Sequence, residues 1–373
     1  MSLNHAQTEA VAHNKGPCMV LAGPGSGKTL TIAKRIEYLI MKHKVRPEEI
    51  LVITFTKYAA WEMKNRTRSI CGPSSYAVTF GTFHGIYYGI LKWAYRLNQS
   101  NLLSDEEKYR ILREILPGID WDQEPEADEE KDYLQELAIE IGNVKNNCMD
   151  IEEYEPVKYT TEKFRKLYRT YEETKKKYRK IDFEDMLIQC RDLFMKRPDI
   201  LKKWQEKFQY ILVDEFQDVN QAQYDVVRML AAPQDNLFVV GDDDQSVYGF
   251  RGAKPGIMME FMKDYPKARQ ILLDVNYRSS GYIVKGALRV IGNNKIRFEK
   301  KIEAFRKPDE TVHVQEVKDP VQEAEYVLER IREYREKGVS YTEMAVLYRT
   351  NVDARAMSEL MTEYQIPFVM KEH

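Results

Sequence analysis

The segment Ala22-Gly23-Pro24-Gly25-Ser26-Gly27-Lys28-Thr29 follows a short apolar run and leads into an amphipathic one. Glycines at this spacing let the backbone turn its N–H groups inward, and the start of a helix adds the positive end of its dipole. Lys28 then suits the β and γ phosphates of a nucleotide, and Thr29 suits a Mg²⁺ ion beside them. The strict phosphate-loop pattern has glycine where Ala22 stands. A second apolar run, Ile211-Leu212-Val213, ends in Asp214 and Glu215. Asp214 suits the metal, and Glu215 suits a general base acting on water. Solvated strand-end acids are the plain alternative, but the run before them places both at the carboxyl edge of a sheet, where ligands of open α/β folds bind. Together the two motifs predict hydrolysis of ATP or GTP.

The elements that must position these residues follow from the hydrophobic pattern. Apolar runs at 18–22, 50–54 and 77–80 alternate with amphipathic stretches starting at Lys28 and Lys57, the rhythm of a parallel sheet flanked by helices. From about Gly85 to Cys190 the strand signal gives way to a charged, tyrosine-rich helical stretch with a loop expected at 117–125. Strand runs return at 210–214, 236–240 and 271–275. A second series follows, with strands expected at 311–317, 344–350 and 366–370 and helices from Ser279, Pro320 and Val352.

Composition narrows the setting. With 373 residues and 43% hydrophobic content, the chain suits two or three globular domains. It has no apolar run of membrane-spanning length and no secretory start, so a cytoplasmic protein without membrane attachment is expected. Cys18, Cys71, Cys148 and Cys190 are far apart, which fits a reducing compartment. The net charge of −2 excludes a broadly basic nucleic-acid-binding domain, so any such contact is local. Residues 122–136 are strongly acidic and residues 163–180 strongly basic. Both suit solvated helix surface, and the basic stretch equally suits a nucleic-acid contact. Phe164, Leu167, Tyr168 and Tyr171 recur at helical spacing and are expected to pack.

Further blocks appear in a fixed order: LNHAQ (3–7), ITFTKYAAWEMKNR (53–66), FGTFHG (80–85), DFEDML (182–187), VDEFQD (213–218), VVGDDDQSVYGFRGA (239–253), NYRSS (276–280) and AVLYRTN (345–351). With the 22–29 loop, they make the chain resemble superfamily 1 helicases of the UvrD, PcrA and Rep group. In that group Ala22 is the ordinary residue of the loop. The resemblance implies that Gln7 reads the adenine edge, which selects ATP, and that Tyr277 stacks on adenine. It implies that Gln245 senses the γ phosphate while facing the DNA side, and that Arg278 reaches the γ phosphate from the second domain. A surface salt bridge is the plain alternative for an arginine, and the Asn-Tyr-Arg-Ser context argues against it. The resemblance sets Phe55, Phe183, Tyr248 and Phe250 against single-stranded bases, with His84, Arg251, Arg349 and Asn351 as polar companions. Stacking of this kind tolerates any sequence. Core packing is the alternative for Phe55 and Phe183.

The fold implied is α/β, a RecA-like P-loop NTPase parallel-sheet domain with a helical insertion and a partial second RecA-like domain. The expected boundaries are 1–88 and 183–275 for the first RecA-like domain, 89–182 for the helical insertion and 276–373 for the partial second domain. The activity implied is ATP-driven 3′ to 5′ movement on single-stranded DNA with unwinding of duplex junctions, using ATP and Mg²⁺. Repair or replication proteins as partners are left open by the sequence. Leu30 stands where the group has arginine, and Lys57-Tyr58 where it has Asn-Lys. The group's later threonine-histidine-lysine-glycine block, its final block with a second transition-state arginine and its large second-domain insertion are not found, so an N-terminal fragment is expected. Rival readings are a translocase that does not unwind, an ATPase subunit of a RecB or AddA type helicase-nuclease, and a non-catalytic nucleic-acid-binding module. Lys28, Thr29, Asp214, Glu215, Gln245 and Arg278 together argue against the last.

Overall fold

A computed structural model describes residues 2–119, 130–247, 253–254, 256–308 and 311–370. Contacts divide the chain into two compact units, Met1–Glu310 and Thr311–His373.

In the first unit, helix α1 (His5–Ala12) precedes strand β1 (Cys18–Ala22), and α2 (Lys28–Met41), β2 (Ile50–Thr54), α3 (Lys57–Cys71), β3 (Thr79–Thr82) and α4 (Phe83–Tyr95) follow. Five helices come next: α5 (Asp105–Ile115), α6 (Glu130–Asn146), α7 (Thr161–Lys177), α8 (Asp185–Lys196) and α9 (Pro198–Lys207). The sheet resumes with β4 (Tyr210–Val213), α10 (Gln221–Ala231), β5 (Leu237–Gly241), α11 (Ile257–Asp264) and β6 (Arg269–Leu273). The six strands are parallel in the order β3-β2-β4-β5-β1-β6.

Side chains alternate along each strand, so each apolar run feeds two cores. Met19, Leu21, Leu51, Ile53, Ile211, Val213 and Val239 meet Tyr87 of α4, Leu187 of α8 and Tyr224 of α10 on one face. Cys18, Val20, Val52, Leu212, Phe238 and Val240 meet Ile32 and Ile36 of α2 and Met63 of α3 on the other. Burial on both faces is why these strands read as continuous apolar runs. A third core joins α5, α6 and α7 through Leu112, Leu137, Ile141, Phe164, Leu167 and Tyr171, so the rings of the basic stretch do pack. Three of the four cysteines are buried, Cys148 is half-buried, and all are free thiols.

Of the loop expected at 117–125, residues 120–125 lie outside the described residues, as do 122–129 of the acidic stretch. The last part of the first unit is a β–α–β segment: β7 (Val275–Ser280), α12 (Gly281–Ile291) and β8 (Glu303–Arg306), with β7 and β8 parallel.

The second unit contains α13 (Pro320–Glu336) and α14 (Ala354–Glu363), packed through Leu328, Ile331, Met361 and Ile366. The expected strands at 311–317, 344–350 and 366–370 do not form among the described residues. Val314 is 92% exposed and Leu347 94% exposed. An apolar, β-branched run becomes a strand only when a neighbour takes up its backbone N–H and C=O groups and covers its side chains. No such neighbour is present among the described residues of this unit.

Candidate nucleotide and nucleic-acid site

The loop after β1 turns through two glycines in the left-handed region, Gly25 at φ 68° and Gly27 at φ 88°. A Cβ on Gly25 would lie 2.6 Å from Arg278 Cβ and 2.7 Å from Asn276 Oδ1, and one on Gly27 would lie 2.7 Å from Gln7 Nε2. Only glycine meets both the backbone and the space at these positions. Ser26 Oγ donates to the Gly23 carbonyl at 2.7 Å. Lys28 then opens α2, with Thr29 half-buried behind it and Pro24 exposed in front. Gln7 is buried and braces the loop: Nε2 donates to the Ser26 carbonyl at 2.9 Å, and Oε1 accepts from Asn4 N at 3.0 Å.

β4 delivers the two acids. Asp214 is 7% exposed, and burial, followed by the charge of Glu215, pushes its carboxyl up to about 7. Glu215 holds φ 50°, an uncommon conformation outside glycine that recurs where side chains are aimed at a ligand. Its Oε2 accepts from Lys28 Nζ at 2.9 Å and from Gln217 Nε2 at 2.9 Å. Asp218, beside them, is pushed up to about 6 by burial and by Glu215. The turn after β5 brings Gln245, whose Nε2 donates to Asp242 Oδ2 at 2.6 Å. Gln217 Oε1 accepts from Asp242 N at 3.0 Å, which joins the turns after β4 and β5. Sequence reasoning did not single out Gln217, Asp218 or Asp242, although all three lie inside the quoted blocks. Thr29 at the start of α2 and Asp214 directly after β4 carry oxygens of the kind a hard divalent cation takes.

β7 comes directly onto the loop. Tyr277 N donates to the Gly25 carbonyl at 2.9 Å, and Tyr277 Oη accepts from Asn4 Nδ2 at 2.9 Å. Asn276 Oδ1 accepts from Arg278 N and Ser279 N, fixing the irregular stretch of β7 in which Arg278 is exposed. Gln7, Lys28, Asp214, Glu215, Gln245, Tyr277 and Arg278 are therefore connected around one loop.

A second group sits beyond β2 and β3. Thr54 pairs with Thr82, so Phe55 and His84 leave the sheet at the same edge. Thr56 and Thr82 cap the helices that follow, accepting from Ala59 N at 3.0 Å and Gly85 N at 3.1 Å. Phe55 is half-buried. The rings of His84 and Phe183 stack with centroids 3.8 Å apart and planes at 26°, and Phe183 is 55% exposed. Burial pushes the His84 imidazole down to about 4, so it is neutral near pH 7.

Phe183 is held from behind. Asp182 Oδ2 lies 2.7 Å from Lys145 Nζ and 2.6 Å from Lys175 Nζ, while Asp185 lies 2.8 Å and 2.5 Å from the same two ammoniums. Burial opposes the charge on Asp182, but the two lysines outweigh it and hold the carboxyl well below its ordinary value. Asp182 N also donates to Asp185 Oδ2 at 3.0 Å, and Asp185 N to Asp182 Oδ1 at 2.8 Å. Lys175 belongs to the basic stretch and is buried, so this part of it is neither solvated surface nor an exposed contact.

Arg349 and Asn351 are exposed in the Thr311–His373 unit. Tyr248, Phe250 and Arg251 lie outside the described residues.

A sheet with a phosphate-loop turn, a strand-end acid pair and a polar turn on the next strand defines a RecA-like P-loop protein. Residues 3–266 match the UvrD/REP helicase N-terminal domain, and residues 271–373 match the UvrD-like helicase C-terminal domain. The chain belongs to the UvrD/REP helicase family. It is 39% identical over 379 residues to YjcD of Bacillus subtilis (strain 168), whose name describes an ATP-dependent DNA helicase, covering 99% of this chain and 48% of that protein. It is 35% identical over 376 residues to the ATP-dependent DNA helicase PcrA of Staphylococcus aureus (strain Mu50), covering 99% of this chain and 50% of that protein. PcrA of Staphylococcus epidermidis is also 35% identical, with 51% of its length covered. The chain thus spans about half the length of the curated relatives it matches. No described helix is long and apolar enough to cross a membrane.

Proposed function

We propose that this chain is the nucleotide-binding and strand-gripping front part of an ATP-dependent DNA helicase that moves 3′ to 5′ on single-stranded DNA and opens duplex junctions. The observation that carries the reading is the shared sheet edge. The phosphate loop and acid pair follow β1 and β4, while the open His84–Phe183 ring pair stands beyond the neighbouring strands β2 and β3.

In this reading the loop N–H groups and Lys28 bind the triphosphate. Lys28 exchanges Glu215 for phosphate oxygens, which frees Glu215 to take a proton from the attacking water. Thr29 and Asp214 would hold Mg²⁺, which neutralises phosphate charge when bound. Gln245 orients toward the γ phosphate, and Arg278 adds a positive charge where charge develops in transfer. Tyr277 and Gln7 form the base side of the pocket. Neutral His84 and exposed Phe183 offer ring faces to bases of any sequence, with Phe55 at the same edge. Tyr248, Phe250, Arg251, Arg349 and Asn351 are assigned to the strand by family resemblance.

The test is ATP hydrolysis by the full-length protein with and without oligo-dT, followed by unwinding of duplexes tailed at the 3′ or 5′ end. Hydrolysis rises with oligo-dT, and only the 3′-tailed duplex opens. Absence of stimulation removes the helicase reading. The chain alone binds ATP and Mg²⁺ with little or no unwinding.

A further inference from the structure

Three consecutive carboxylates in the turn after β5 face one ammonium. Lys300 Nζ lies 2.5 Å from Asp242 Oδ1, 2.5 Å from Asp243 Oδ1 and 2.8 Å from Asp244 Oδ2, with its side chain fully buried. Arg297 adds a two-pronged bond to Asp244, Nε to Oδ1 at 2.8 Å and Nη2 to Oδ2 at 2.5 Å. Phe298 N donates to Asp243 Oδ2 at 2.8 Å. Burial works against the charge on Lys300, but its bonds to the three aspartates outweigh that and raise its pKa above the ordinary lysine value. Residues 297–300 therefore form a strap fastened to the turn by charge-assisted bonds.

Two routes lead from this strap back to the phosphate loop. Toward β8, a Cβ on Gly23 would lie 2.7 Å from Ile302 Cδ1. β8 pairs with β7, and β7 places Tyr277 N on the Gly25 carbonyl and bears Arg278. Through the turn, Asp242 accepts from Gln245 with one carboxylate oxygen and from Lys300 with the other. Asp242 N donates to Gln217, Gln217 donates to Glu215, and Glu215 pairs with Lys28. The contacts make a closed ring: Lys28, Glu215, Gln217, Asp242, Lys300, β8, β7 and the loop again. Lys300 is the one side chain in that ring that bonds all three aspartates and lies on the strap.

We propose that Lys300 is a positioning residue that couples the phosphate-reading turn, Asp242 to Gln245, to the β7–β8 segment carrying Tyr277 and Arg278, so that hydrolysis responds to the bound strand. This rests on the ATP-driven, strand-dependent reading above. Removing the ammonium leaves three clustered carboxylates without their shared cation, and mutual repulsion then moves the turn and Gln245 with it. A residue that only supports the fold would affect nucleotide binding, unstimulated turnover and stimulated turnover together. A coupling residue separates them.

The experiment uses the full-length protein with Lys300→Met, Lys300→Arg and Asp243→Asn. The readouts are affinity for a fluorescent ATP analogue with Mg²⁺, kcat and KM for ATP with and without oligo-dT, and thermal melting. For Lys300→Met the expected result is nucleotide affinity and KM within about threefold of wild type, with the oligo-dT stimulation of kcat reduced at least about tenfold. Lys300→Arg recovers at least half of the stimulation. Wild-type stimulation in Lys300→Met overturns the proposal, and so does parallel loss of nucleotide binding and stimulation in a folded protein. If Lys300→Met fails to fold, Asp243→Asn decides: a drop in stimulation of about threefold or more supports the coupling, and an unchanged ratio overturns it. A wild-type protein that oligo-dT does not stimulate identifies failure of the proposed function itself.

Discussion

The phosphate station beyond β1, β4 and β5 and the ring station beyond β2 and β3 share one sheet edge but are built in opposite ways. At the first, charged and polar groups lean on one another: Lys28 on Glu215, Glu215 also on Gln217, Asp242 on both Gln245 and Lys300. At the second, the working ring is exposed and its mounting is fixed. Phe183 projects from a turn whose flanking Asp182 and nearby Asp185 are locked between Lys145 and Lys175. A charge that must meet a charged ligand is kept paired until the ligand replaces the partner. A ring that must meet any base needs no partner, only a rigid mounting and an open face. Under the proposed function the first station does the chemistry and the second grips the strand, and each assignment can be broken separately.

The largest effect belongs to Glu215→Gln. Replacing the carboxylate by an amide keeps its shape and leaves water without a proton acceptor. ATP turnover falls by about 10³-fold, the middle of the range for a positioned general base. Nucleotide affinity, measured by equilibrium titration, stays within about fivefold because binding does not use the lost proton acceptor. Turnover near the wild-type rate would mean that Glu215 is not the base, and the phosphate station would lose its chemical half.

The two stations also differ in how far they can be read from the sequence. The phosphate loop was legible because glycine, lysine and a preceding apolar run are local requirements, and β1 and β4 form where those runs stand. The second unit shows the limit. Runs of the same kind at 311–317 and 344–350 stay unpaired, because a strand is specified by its neighbours as much as by its own residues. Buried cations were hidden for a related reason. Lys300 stands beside Lys301, and Lys175 beside Lys176, yet one of each pair is buried and its neighbour is not. Only the tertiary placement of carboxylates from distant elements makes that choice. Tyr277 and Arg278 are pointed to only by the ordered blocks, because the strand that carries them, β7, has no apolar run to announce it.

The His84 prediction tests whether the ring station is neutral. Burial lowers its imidazole pKa to about 4 in the folded protein from 6.5. A base with a depressed folded pKa contributes its full stability above the unfolded value, and that contribution is lost as pH falls, because the unfolded chain takes up a proton that the folded chain refuses. The window is therefore pH 6.5 down to about 4. The loss approaches about 3 kcal/mol across it. Urea unfolding of wild type and His84→Phe at several pH values measures the difference, and the phenylalanine variant lacks this component of the acid slope. Equal slopes would mean that His84 is charged or solvated in the folded state, and the contrast between a charged station and a neutral one would weaken.

The smallest effect, and the most specific, is expected from Phe183→Ala. Loss of one stacking face lowers oligo-dT affinity by about tenfold, within the range of about 1–3 kcal/mol for a base-aromatic contact. Phe183→Trp keeps the face and most of the affinity. No phosphate contact is removed, so the slope of log affinity against log salt concentration stays as in wild type. Fluorescence anisotropy at several salt concentrations reads both quantities at once. A variant that binds normally would put Phe183 off the path of the strand. A variant with a shallower salt slope would show that the site grips phosphates through its surroundings, in which case the locked turn around Asp182 serves charge placement and the division between the two stations fails. Since the ring already lies 3.8 Å from His84, the alanine variant also exposes the imidazole face, and the paired His84→Ala, Phe183→Ala protein separates the two rings' shares. Additive losses mean that each ring meets its own base, whereas a double loss no larger than the single one means that the stacked pair acts as one platform.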